Sequence, residues 1–136
     1  MREIIFKAKR IDNGEWVKGN LIKTFTGISY IAKEFDHILS TLERYEVDPS
    51  TICQYTGLCD KNGRKIWEND IVGYWDTYST ENGYAEDDCI GKVYWDDETL
   101  SFQVTERLSA ESYEVLDECS VIGNVFDNHE LLEKVR

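Results

Sequence analysis

The sequence predicts an all-β protein with a short C-terminal helix. Two observations favour this class: short runs in which apolar and polar residues alternate, and tight-turn pairs such as Asn13-Gly14 and Asn62-Gly63 between them. Alternation with a period of two is typical of strands with one buried face, and Asn-Gly accepts the positive φ angles of a hairpin turn. Short strands at this spacing are typical of small sandwiches and barrels.

Residues 1–50 are predicted to form an N-terminal β subdomain, either a meander or part of a small sandwich. Three strands are expected there, each bounded by a turn signal: residues 4–9, 15–22 and 28–32. Residues 33–47 are ambiguous, because Ile38, Leu39 and Leu42 fit one turn of helix as well as a short irregular strand. Asp48-Pro49 ends any helix, since a residue before proline is driven out of the α region. We therefore place the subdomain boundary near residue 50.

Residues 51–136 are predicted to form an SH3-like small β-barrel, unless both parts form one compact unit. Its strands are expected at residues 52–56, 65–75, 89–95, 100–104, 112–116 and 119–126. The polar, acidic stretch Ser79–Asp88 is expected to be a loop. Asp127 and Glu130 have the spacing of a capping box, which predicts a short terminal helix.

The charge is strongly acidic, with 27 Asp and Glu against 15 Lys and Arg. Residues 48–136 hold twenty of the acidic residues and seven of the basic ones. Such a surface repels phosphates and anionic membranes, so direct nucleic-acid binding and membrane binding are not expected. Two alternatives remain for the charge: a solubility surface, or a DNA mimic that inhibits a host DNA-binding protein.

The four cysteines give no sign of a metal site. Cys53, Cys59, Cys89 and Cys119 include no C-x-x-C pair. We expect reduced thiols packed as small hydrophobic side chains, with neither cofactor nor metal.

No catalytic motif is present, and the sequence predicts a protein that is not an enzyme. Neither His37 nor His129 has a nucleophile motif beside it, and glycine-rich phosphate loops are absent. The carboxylate clusters Glu86-Asp87-Asp88 and Asp96-Asp97-Glu98 lack the spacing of a calcium loop. A small cation-binding protein or enzyme built on these clusters is the second alternative.

Aromatic residues supply the candidate interface. Tyr74 and Trp75 are adjacent on one expected strand, and Tyr94 and Trp95 on another. Because adjacent strand residues point to opposite faces, one residue of each pair is expected in the core and the other outside. The outward residues are where we expect a partner to bind.

Several blocks of the sequence resemble one known family. The chain opens with Met1–Ala8, continues with Gln54–Leu58, Asp60–Gly63 and Ile66–Val72, and ends with Val121–Leu132. These blocks are similar to the YopX proteins of bacterial phages and prophages. The resemblance implies a β-rich fold and carries over no catalytic residue.

We therefore expect a phage- or prophage-encoded protein that acts by protein–protein contact as a homo-oligomer. A bacterial host protein is the second expected partner. No signal peptide opens the sequence and no apolar run reaches the ~20 residues of a membrane span, so we expect it in the cytoplasm of the bacterial host.

Overall fold

A computed structural model describes residues 3–33, 43–105 and 112–134. It confirms the all-β class, with ten strands and a single α-helix among those residues. The chain divides into two compact units, Met1–Tyr55 and Thr56–Arg136. This division falls inside a strand, a few residues beyond the predicted boundary near residue 50.

The first unit is one antiparallel sheet. Its strands are β1 Phe6–Lys9, β2 Trp16–Lys23, β3 Ser29–Ala32, β4 Arg44–Val47 and the first residues of β5 Cys53–Cys59. Their order is β4-β3-β2-β1-β5. The three predicted strands are present, and Gly14 has the positive φ of 73° that its turn requires. Strand β4 ends the segment that the sequence left ambiguous, while Ile38, Leu39 and Leu42 lie outside the described residues.

One face of this sheet is the core of the first unit. The buried side chains are apolar and alternate along their strands: Ala8, Val17, Ile31 and Val47. On the opposite face, the ammonium groups of Lys7 and Lys9 lie 4.6 and 5.4 Å from the ring centroid of Trp16. The alternation thus separates apolar from cationic side chains, as the period-two pattern predicted.

The second unit is built on a four-stranded antiparallel sheet. Its elements are β6 Lys65–Trp67, β7 Asp70–Thr80, β8 Gly83–Asp96, β9 Ser101–Val104, α1 Ser112–Glu118 and β10 Ser120–Asn124. The sheet order is β10-β7-β8-β9. Strands β7, β8 and β9 form a meander, and β10 lies beside β7. That this unit is an SH3-like barrel stays a prediction. Strand β6 follows β5 along the chain. The hydroxyl of Thr56, in the second half of β5, donates to the carbonyl of Ile66 in β6 at 2.7 Å.

The prediction of one strand over Lys65–Trp75 was wrong. The chain turns at Glu68-Asn69, where Asn69 has a φ of 70°, and so divides the run into β6 and β7. The Asp70 carboxylate closes this turn by accepting the backbone N–H of Trp67 at 2.8 Å. Asparagine tolerates this left-handed conformation better than most residues, so the interruption of the strand costs little free energy.

The expected loop over Ser79–Asp88 was also wrong. Strands β7 and β8 stay paired from Ile71 opposite Lys92 to Thr80 opposite Gly83, with only Glu81-Asn82 between them. Backbone ladder bonds do not need apolar side chains, so a polar stretch can remain in a strand.

Ser112–Leu116, predicted as a strand, belongs to helix α1. Val115, Leu116 and Cys119 are all buried, and positions i, i+1 and i+4 share one side of a helix. The terminal helix is a 3₁₀ helix, His129–Lys134, and its first bond runs from the N–H of Leu131 to the carbonyl of Asn128. No helix in the described part of the chain is long and apolar enough to cross a bilayer.

The core of the second unit lies between the sheet, β6 and α1. Its buried members come from every one of these elements: Ile66, Val72, Tyr74, Val93, Val104, Val115, Leu116 and Cys119. Gly91 allows β8 to approach the end of β9, because a Cβ there would lie 2.4 Å from the carbonyl oxygen of Thr105. At Gly73 the nearest such contact is an ordinary 3.7 Å.

Gly91→Ala should therefore destabilise the protein by about 1–3 kcal/mol, because the added methyl must displace backbone. Gly73→Ala is the matched control and should stay within about 0.5 kcal/mol of the wild type. Urea unfolding followed by tryptophan fluorescence measures both. Equal midpoints for the two variants would contradict the close approach.

Candidate interaction surface

A cavity of about 440 Å³ lies in the second unit, beside the start of β10 and the end of α1. It is lined by residues of β7, β8 and their neighbours: Lys61, Gly73, Tyr74, Trp75, Asp88, Cys89, Ile90, Glu118 and Ser120. These positions are far apart in the sequence and are brought together by the register of the sheet.

Apolar side chains lie in and beside this cavity. Gly73, which lies opposite Ile90 on β8 and Ser120 on β10, contributes no side chain. Trp75 lies on the same face of β7 and is 57% exposed. Ile122 is 42% exposed, at the irregularity between Val121 and Gly123. We call Gly73, Trp75, Ile90 and Ile122 the Trp75 surface.

Charged side chains surround the cavity. Lys61, Asp88 and Glu118 line it and are all exposed to solvent. Asp88 stands directly opposite Trp75 in the β7–β8 register. An apolar centre with a charged margin is the usual composition of a protein-binding patch.

The structure separates the four predicted interface residues. Tyr74 is buried, and its hydroxyl donates to the carbonyl of Thr105 at 3.3 Å. Trp75 is the exposed member of that pair. In the second pair, the register puts half-buried Tyr94 on the face of Trp75, and Trp95 on the core face.

Trp95 is nevertheless 40% exposed, because it lies at the end of β8. Its ring meets Phe102 edge-on at 5.1 Å, and its indole N–H donates to the Asp97 carboxylate at 2.9 Å. Trp75 and Trp95 thus lie on opposite faces of the sheet and cannot share one patch. That any of the four forms an interface stays a prediction.

The wall of the cavity at Lys61 is positioned by the buried carboxylate of Asp60. One oxygen accepts the backbone N–H groups of Asn62 and Arg64, both at 2.9 Å. The other accepts the N–H of Val121 on β10, also at 2.9 Å. A single side chain therefore closes the β5–β6 hairpin and attaches it to the first residues of β10.

Burial opposes the charged form of Asp60, but the N–H donors of Val121, Arg64 and Asn62 outweigh it. The pKa of Asp60 is consequently lowered below its ordinary value of 3.8. The carboxylate thus stabilises the fold above the unfolded pKa, and this contribution is lost as the pH falls through the folded pKa.

Asp60→Asn should destabilise the protein by about 1–3 kcal/mol at neutral pH, because the amide cannot accept on both sides. The difference from the wild type should shrink as the pH falls from 3.8, the ordinary pKa, through the lowered pKa of the folded protein, where the wild-type carboxylate becomes protonated. Urea midpoints across that range measure this effect, and Asp97→Asn, at an exposed turn, is the control. A difference that does not change with pH would contradict the role of the charge.

Two of the four cysteines pack as predicted. Cys53 and Cys119 are buried, whereas Cys89 is half-buried and lines the cavity. The expectation of a packed thiol was wrong for Cys59, which is exposed at the end of β5. Burial, followed by the negative charge of Asp60, raises the pKa of the Cys119 thiol to about 11.

Iodoacetamide should therefore label Cys59 in the native protein and leave Cys119 unmodified, since alkylation needs an accessible thiolate. Mass spectrometry of the peptides measures this, and labelling in guanidinium shows that both thiols can react when unfolded. Equal native labelling of the two would contradict the burial of Cys119.

The histidines and acidic clusters do not form a site in the described residues. His37 lies outside them, and His129 is exposed on the terminal 3₁₀ helix. In that part of the chain, no three His, Cys, Asp or Glu side chains are placed to hold a metal ion. Asp96 and Asp97 instead bond within their own turn, to the Glu98 N–H and the Trp95 indole.

The sequence predicted the separation of Tyr74 from Trp75 but not the cavity beside them. The cavity depends on Gly73 lying opposite Ser120, and these residues are 47 positions apart in the chain. No local pattern encodes that pairing. The only local signal was the glycine itself, since glycine within a strand often marks a close approach or an opening.

Comparison with known proteins identifies a family and structural relatives. A family model described as "YopX protein" matches residues 5–133. The crystal structure of protein EF1440 from Enterococcus faecalis is 26% identical and has a TM-score of 0.59. The alignment covers 97% of this chain and 99% of that one. No curated protein matches the sequence.

Proposed function

The chain belongs to the YopX family, and on that premise we propose that it is a phage- or prophage-encoded protein that acts by protein–protein contact. Its first partner is a second copy of itself, in a homo-oligomer. A bacterial host protein is the second partner, and the bacterial cytoplasm is the compartment. The proposed role is not enzymatic.

The exposure of Trp75 is the observation that supports this proposal. A tryptophan that is 57% exposed leaves a large apolar area in water unless a partner covers it. Trp75 lies within β7 and not on a loop, so little side-chain and backbone freedom is lost on binding. Tryptophan is also among the residues that dominate the energy of protein interfaces.

The acidic charge supports an alternative, the DNA mimic that blocks a host DNA-binding protein. The second unit holds nineteen Asp and Glu against seven Lys and Arg. Binding to a basic protein through these residues would weaken steeply as salt is added. A contact centred on Trp75 would not, because burial of apolar surface does not depend on charge screening.

Trp75→Ser should weaken self-association at least about tenfold, which corresponds to ~1.4 kcal/mol of lost apolar contact. Phe25→Ser is the matched control, because Phe25 is a fully exposed aromatic residue in the first unit. Sedimentation velocity over micromolar concentrations measures both variants and the wild type.

A wild-type protein that remains monomeric at high micromolar concentration would contradict the homo-oligomer. An equal loss of association in the Phe25 and Trp75 variants would show that the Trp75 surface is not the contact.

A further inference from the structure

Strands β7 and β8 extend beyond the strands that flank them. Strand β10 reaches only to Ser120, opposite Gly73, whereas β7 continues to Thr80. On the other side, β9 covers β8 from Val93 onward, and Thr105 bonds to the backbone of Lys92. Residues 75–80 and 83–90 thus form a two-stranded ribbon with no described strand along either edge.

A two-stranded ribbon with uncovered edges is an unusual element of a protein. Two strands alone are marginally stable in water, since neither face nor edge is covered. The ribbon has six residue pairs in register, from Trp75 opposite Asp88 to Thr80 opposite Gly83. Unpaired strand edges are also templates for pairing with another chain, and natural proteins usually protect them with charges, proline or bulges.

The two edges of the ribbon differ in this protection. The sequence of β8 includes three consecutive acids, Glu86-Asp87-Asp88. The free edge of β7 reads Trp75-Asp76-Thr77-Tyr78-Ser79-Thr80, with one charge and no lysine or proline. Thr, Tyr and Trp are the residues that favour strands. The register of this segment with β8 is continuous, so no bulge protects it.

We propose that residues 75–80 of β7 pair antiparallel with the same residues of a second copy, which joins two second units into one continuous sheet. This inference rests on the self-association proposed above and names the surface that carries it. The contact is isologous: the same edge serves both copies, related by a two-fold axis.

An antiparallel strand is complementary to itself across such an axis. In an antiparallel ladder, alternate residues direct their N–H and C=O groups away from the strand they already pair with. Each outward donor of one β7 then meets an outward acceptor of the other. No second sequence is needed, which favours a copy of this chain over an unrelated protein.

The charge distribution permits this pairing despite the net charge of −12. With the strands in the order β8-β7-β7-β8, the two acidic β8 strands lie three strand spacings apart, about 14 Å. That distance exceeds the Debye length of about 8 Å at physiological salt. The remaining repulsion is screened by ions, so added salt should strengthen the dimer.

Pairing at this edge also brings a strand of the second copy next to Trp75, one member of the Trp75 surface. The second β7 would lie beside Trp75, in line with β10 and next to the cavity at Ser120. The other conceivable occupant is a basic extended peptide attracted by Asp88 and Glu118. Salt distinguishes the two, because it would weaken the binding of a basic peptide.

Thr77→Lys tests the proposal, because lysine on the edge strands of natural sheets prevents those edges from pairing with another chain. Thr77 lies opposite Glu86, so the introduced charge has an opposite charge across its own ribbon, which keeps the ribbon folded. Ala85→Lys makes the same change of net charge on β8 and is the control. The dimer dissociation constant should rise at least about tenfold for the first variant and stay within about twofold for the second.

Hydrogen exchange of the wild type gives a second, independent measurement. Amides of residues 75–80 should exchange more slowly as the protein concentration is raised, whereas those of residues 84–88 should not change. Sedimentation at several NaCl concentrations should show a dimer that tightens with salt.

The outcomes separate this inference from the proposal it rests on. A wild-type monomer overturns both. A wild-type dimer that Thr77→Lys leaves intact, or that salt weakens, overturns the β7 pairing and leaves self-association standing. Concentration-independent exchange at residues 75–80 in a proven dimer also overturns the pairing.

Discussion

The second unit depends on the carboxylate of Asp60. This group is 6% exposed and accepts three backbone N–H groups, two from its own hairpin and one from Val121 on β10. The N–H of Lys61 adds a fourth link, to the carbonyl of Cys119. The hairpin therefore fixes the point at which β10 starts. Because β10 starts at Ser120, opposite Gly73, no strand among the described residues covers the longer strand β7 from Trp75 onward, and the cavity lies where β7 and β10 part.

The central block that resembles the family holds its backbone by the same kind of contact. Asp70, at the next turn, acts in the same way as Asp60: its carboxylate accepts the backbone N–H of Trp67 at the turn into β7. Gly57 and Gly63 have φ angles of 89° and 83°, which other residues adopt with strain. Asp60 and Asp70 satisfy backbone donors, and Ile66 fills the core. Each of these side chains has a structural partner.

The sequence predicted what is local and missed what depends on distant partners. Alternation and Asn-Gly turns were sufficient for β1, β2, β3 and β9, because period-two burial and positive φ are properties of neighbouring residues. Ser79–Asp88 has a loop-like composition, yet its backbone bonds belong to β7, which no local pattern reveals. In Ser112–Leu116, buried Val115 suited a strand as well as a helix until Leu116 and Cys119 were placed in the same core. For the candidate site, the division of Tyr74 and Trp75 between two faces was predictable, but which one is exposed depends on the core around α1.

A strongly acidic protein can still associate with itself, because position matters more than net charge. The acids of the second unit are not evenly distributed over its edges. Three consecutive acids lie on β8, and Asp60 and Asp70 are buried and bonded to backbone, where they contribute little to repulsion at the surface. The edge of β7 has one acid in six residues. If β7 pairs as proposed, this distribution of charge disfavours pairing at β8 and not at β7, and so selects the edge through which two copies associate.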